Sequence, residues 1–146
     1  MARQFSNTLF LIIFYRLPVA VLCIFIFWQS SNAGIISQPL FPHDDKVMHF
    51  TVYALLAFLV ARAVKKEKLL WSPLKIKIIT ILFAAGFGLS DEVHQAFVPE
   101  RYASAWDFLA DGAGSLTGCL FYLNFADKNL FHLKKYLNIK QITDKF

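Results

Sequence analysis

The chain has 146 residues, 57% of them hydrophobic and 17% charged, with a formal net charge of +5. That length fits one domain, and the apolar share exceeds the roughly 45–50% usual in soluble domains. The positive charge does not point to nucleic acid, because the lysines cluster in short stretches beside apolar segments, as in cytoplasmic loops of membrane proteins.

Four segments are long enough to cross a hydrocarbon core as helices, which takes about 17–25 residues. In chain order they are 8–28, 47–64, 76–89 with a polar extension through Gln95, and 108–125. Phe, Leu, Ile and Ala fill them without period-two alternation, so an all-α, four-helix integral membrane bundle is expected rather than a barrel. Residues 1–126 form this membrane domain, and 127–146 read as a basic amphipathic tail on the inner membrane surface. The first segment lacks a small-residue cleavage site and is expected to stay in the protein. Cys23 and Cys119 both lie inside apolar segments, where a thiol behaves as a small hydrophobe and a structural disulfide is not expected.

Arg16 interrupts the first segment. It either snorkels toward cytoplasmic headgroups or serves as counter-charge to a carboxylate on another span, with Pro18 nearby as a source of a kink.

The basic residues set an orientation. Arg3 precedes the first span; Arg62, Lys65, Lys66, Lys68, Lys75 and Lys77 surround the second connection; Lys128, Lys134, Lys135, Lys140 and Lys145 follow the fourth span. The other two connections carry only Lys46 and Arg101. The positive-inside rule then puts both termini in the cytoplasm of a bacterial inner membrane, with the remaining connections facing outward.

Two polar groups fall at the outward end. Asp45, His49 and Tyr53 recur every four residues and share a helical face with Lys46 beside it. The stretch Ser90 to Gln95 carries two candidate faces, Glu92 with Gln95 and Asp91 with His94. Asp107 and Asp111 open the fourth span, and Gly114 and Gly118 continue their stripe as a surface another helix can approach closely. Asp107 also suits a helix start after Ser104, while Asp44, Glu100 and His43 read as loop residues. Arg101 is suited equally to holding the outer loop through Asp107 or Glu92 and to binding an anion. Charged and amide groups are costly in lipid unless they meet each other, so His49, Glu92, Gln95 and Asp111 are expected to share a site.

The segments DKVMHFTVY and SDEVHQAFVPERYASAWDFLADGAG resemble the signature of VanZ-like membrane proteins over about the last three spans. The family pattern falls on Asp45, Lys46, His49, Tyr53, Glu92, Gln95, Arg101, Asp107, Asp111 and Gly114. Glu100 departs from it, standing where the family often has Gly before the Arg. The resemblance implies a small membrane protein of bacterial envelopes, whose namesake is associated with low-level resistance to the glycopeptide teicoplanin. It brings no catalytic assignment.

Binding of a lipid headgroup or a lipid-linked or cell-wall precursor is the reading these residue types favour. Acid–base catalysis on such a substrate is the alternative, with His49 or Glu92 as base, Arg101 and Lys46 as anion holders, and Asp45 or Asp111 as orienting groups. No Ser or Cys sits in a recognisable nucleophile motif. His49, His94, Asp91 and Glu92 are admissible metal ligands, but no HExxH or Cys-based spacing occurs, so neither a metal nor a cofactor is expected.

Overall fold

The computed structural model describes residues 8–32 and 43–126. Four helices make up this part: α1 (Thr8–Ser30), α2 (Asp44–Glu67), α3 (Pro73–Gln95) and α4 (Ala105–Phe121), the last continued by a π-helical turn over Tyr122–Ala126. The first three are long and apolar enough to cross a membrane. The 17 residues of α4 span about 26 Å, and its π-helical continuation adds to that. Arg3, the lysines after Asp127 and the amphipathic tail at 127–146 lie outside the described residues.

Each helix begins where the backbone finds a partner or tolerates lacking one. Ser72 caps α3 by accepting the Lys75 N–H, and Pro73 follows at a position where a missing N–H costs nothing. Ser104 caps α4 by accepting from Asp107 N–H at 3.4 Å. Helix α2 carries Asp44 and Asp45 in its first turn and Lys65 and Lys66 in its last, matching the helix dipole at both ends.

Pro18 leaves its mark on α1 as a π-helical turn, Ile12–Arg16, directly before it. Proline offers no N–H, so the Phe14 carbonyl four residues earlier loses its usual donor. Arg62 on α2 supplies one from its guanidinium at 2.9 Å, and its charge also lies 4.4 Å above the Tyr15 ring. Of the two expectations for Arg16, the structure shows the counter-charge to a carboxylate on another helix. The side chain is 59% exposed and binds the Glu67 carboxylate at the end of α2 with two hydrogen bonds, at 2.6 and 3.0 Å.

Contacts at the two ends establish an up-down-up-down bundle. Arg16 meets Glu67 at one end, whereas Ser31 meets His94 and Lys46 meets Asp107 at the other. The tightest pairing joins α2 and α4, because Gly114 lies against the Phe50 carbonyl and Gly118 against the Ala54 carbonyl. A β-carbon at either glycine would overlap backbone, so only glycine permits this approach. Close backbone packing through small residues is how helices associate where lipid is as apolar as the side chains.

The interior is small and partly polar: Tyr53, Leu56, Ala57, Val60, Ala61, Ala84 and Cys119 are buried together with Asp91, Glu92, Asp107, Asp111 and Ser115. Ile24, Leu82, Val93, Leu109 and Leu116 are exposed instead. That inversion suits a chain whose outer solvent is hydrocarbon. Cys23 and Cys119 are both free thiols.

Candidate functional site

Lys46 and His49 from the first two turns of α2, Glu92 near the end of α3, and Asp107 and Asp111 from the start of α4 converge at one end of the bundle. Antiparallel packing brings together the N-terminal ends of α2 and α4 and the C-terminal end of α3, so residues far apart in sequence become neighbours. Lys46 Nζ bridges two carboxylates, donating to Asp107 at 2.9 Å and to the more exposed Asp45 at 2.8 Å. One turn deeper, His49 Nδ1 lies 2.9 Å from Asp111 Oδ1 and 4.0 Å from Glu92 Oε1. With Asp111 ionised, its carboxylate accepts and the imidazole proton of this pair lies on Nδ1.

Glu92 is anchored on its other side. Its Oε2 accepts the Ser104 N–H at 2.7 Å. In a capping box the acidic side chain three residues into a helix takes this N–H. Here that residue is Asp107, which is committed to Lys46, and a carboxylate from α3 takes its place. The third and fourth helices are therefore joined at the site by a charge-assisted hydrogen bond.

Gly88, one turn before Glu92, is a site component the sequence reading missed. A β-carbon there would stand 2.8 Å from Asp111 Oδ2, so the glycine makes room for that carboxylate. The available signal was a small residue four positions before Glu92 on the same helical face.

Other candidates fall elsewhere. Asp91 pairs with Gln95 through a 3.1 Å hydrogen bond, both buried, so the two faces expected in this stretch are redrawn: Gln95 goes with Asp91 rather than with Glu92. His94 turns to α1, stacking on Phe27 and contacting Ser31 Oγ at 2.9 Å. The Tyr53 ring lies parallel to the His49 ring at 6.4 Å, and its buried hydroxyl has no partner among the described residues.

Arg101 departs most from expectation. It forms no ion pair with Asp107 or Glu92. Its guanidinium donates to the Asn32 carbonyl at 2.8 and 3.2 Å and to the Gln29 carbonyl at 3.2 Å. These carbonyls end α1, where helical partners run out and the dipole favours a cation. Arg101 thus ties the loop after α3 to the end of α1. Glu100 just before it adopts a left-handed conformation, φ 64°, so the turn that glycine would favour is made by a glutamate.

The set can bind polar groups through buried carboxylates, hold or move a proton at His49, or ligate an ion with one nitrogen and several oxygens. Searches of curated proteins and of solved structures gave no match. The profile of the VanZ/LLP1 family matches residues 7–127, which takes in all four helices and every residue of the cluster. With that match spanning most of its length, the chain belongs to the VanZ/LLP1 family.

Proposed function

We propose that this protein binds the polar headgroup of a membrane lipid or lipid-linked envelope precursor at the cluster formed by Lys46, His49, Glu92, Asp107 and Asp111. The supporting observation is where the cluster lies. It sits at the ends of helices whose outer faces are apolar, beside exposed Val47, Val93 and Trp106. A headgroup arriving with its acyl chains along the bundle would reach it from the side. The carboxylates outnumber Lys46, which favours a ligand rich in donors, such as an amine or a sugar.

The positive-inside rule supports an inner-membrane orientation with this end outward. Arg62, Lys65, Lys66, Lys68, Lys75 and Lys77 all belong to the opposite end. Ligand capture on that side is the step through which a VanZ/LLP1 protein would alter sensitivity to teicoplanin. Native mass spectrometry of gently extracted protein tests the binding. Wild type is expected to retain a headgroup-bearing lipid that Lys46→Ala and Asp107→Asn lose. Equal retention by all three rejects the site.

Acid–base catalysis has one observation in its favour, the His49–Asp111 pair, in which a carboxylate orients an imidazole. Conversion of the retained lipid over time, abolished by Asp111→Asn, would establish it.

A further inference from the structure

We propose that His49, Glu92 and Asp111 form a binding site for one divalent transition-metal ion of the zinc or manganese class. One potential ligand atom from each residue lies within 4.8 Å of the other two. The His49 Nδ1 separations, 2.9 Å to Asp111 Oδ1 and 4.0 Å to Glu92 Oε1, bracket the roughly 3.3–3.4 Å between ligands of a tetrahedral ion with bonds of about 2.0–2.1 Å. Small side-chain rotations therefore complete the set.

A buried oxygen without a hydrogen-bond partner points independently to a ligand. Glu92 Oε1 and Asp111 Oδ2 accept no hydrogen bond from any described residue, although Glu92 is only 5% exposed and Asp111 0%. The unpaired Glu92 oxygen is the same atom that faces His49 Nδ1. Buried carboxylate oxygens without donors are costly, and more so within a bilayer. A dication bound to two carboxylates and a neutral imidazole leaves no net charge, which removes that cost. Lys46 does not serve this purpose, because it is engaged by Asp45 and Asp107.

The surroundings fit a ligating role. Ser104 N–H holds Glu92 Oε2 and leaves Oε1 for the ion, a fixed second contact of the kind that orients metal ligands. Gly88 gives Asp111 its space. The three ligands come from three helices, as in bundle proteins that build metal sites between facing helices. On binding, Nδ1 turns its lone pair to the ion and the imidazole proton resides on Nε2. Imidazole with carboxylates and no thiolate suits zinc or manganese better than calcium or magnesium, which prefer all-oxygen shells. Three protein ligands leave a position open, where a headgroup phosphate or a water could bind.

The test uses the full chain, free of any polyhistidine tag, in lipid-depleted detergent after treatment with a chelator. Dialysis against Zn²⁺ or Mn²⁺ followed by elemental analysis should give one ion per chain. Affinity should fall by about tenfold or more in His49→Ala and Glu92→Gln. Asp111→Asn, which keeps the shape and can still meet His49, guards against misfolding and should show the same loss. His94→Ala, outside the cluster, should bind as wild type does. Co²⁺ uptake should give a visible spectrum that the three site variants lack. Uptake no greater than theirs, or binding that survives in them, overturns the proposal. Lipid retention by chelated protein separates the two readings, because it leaves headgroup binding standing when the ion is lost, whereas an ion bound without lipid does the reverse.

Discussion

The guanidinium of Arg62 hydrogen-bonds to the Phe14 carbonyl, the group that Pro18 deprives of its donor four residues on. A backbone fault in one helix is thus repaired by a side chain from the next. The two residues should be coupled energetically. Arg62→Ala is expected to destabilise by about 1–3 kcal/mol. In a Pro18→Ala background, where the helix regains its N–H, the loss should be smaller. Thermal unfolding of the four proteins in one detergent measures the difference.

Arg101→Ala should reduce folded protein rather than remove a ligand selectively. It removes both guanidinium donors from the Asn32 carbonyl and one from the Gln29 carbonyl, which keeps the Asn32 N–H, at a cost of about 1–3 kcal/mol. Arg101→Lys should recover only part, since one ammonium cannot reproduce the fork of contacts. Membrane abundance measured beside ligand retention checks this. Normal abundance with complete ligand loss would return Arg101 to the binding site.

Glu100→Gly is expected to stabilise the protein by a few tenths to about 1 kcal/mol. Glycine adopts the observed left-handed conformation without the steric cost a β-carbon brings, offset in part by its greater freedom when unfolded. A rise in melting temperature with unchanged ligand retention is the expected outcome.

Gly114→Ala and Gly118→Ala should each destabilise by about 1–3 kcal/mol through overpacking against the Phe50 and Ala54 carbonyls. Gly86 and Gly112 meet nothing within 4 Å at the same test, so alanine there should be tolerated. Comparing all four variants by size-exclusion profile separates helix–helix contact from a general intolerance of alanine.

Orientation is accessible to labelling. With Cys23 and Cys119 replaced by alanine, a single cysteine at Tyr102 should react with an impermeant maleimide added to intact cells. One at Leu70 should react only after the membrane is opened. Both positions are among the most exposed of the described residues. The reverse pattern would place the polar cluster on the cytoplasmic side.

Apolar run length and the absence of alternation were enough to read four helices from the sequence, since a bilayer requires long segments that satisfy their own backbone. The helices nonetheless extend past the segments read from hydropathy. Asp44, Pro73 and Ala105 begin turns whose charges and caps belong to the helix although their polarity does not. Gly114 and Gly118 were legible as a contact stripe because their spacing is local to one helix.

Sequence alone determined that His49, Glu92 and Asp111 needed partners, because an ionisable group in an apolar run is costly wherever the chain goes. Which partner each found was decided by tertiary structure. The His49–Asp111 bond joins residues 62 apart in sequence, and Arg101 reaches a carbonyl 72 positions away. Spacing rules describe one helix at a time, so they could not reveal that Asp107 would leave the Ser104 N–H to Glu92. They could not show that the outer arginine would close α1 either. Those choices depend on which helix ends lie side by side, and antiparallel packing through two glycines is what sets them there.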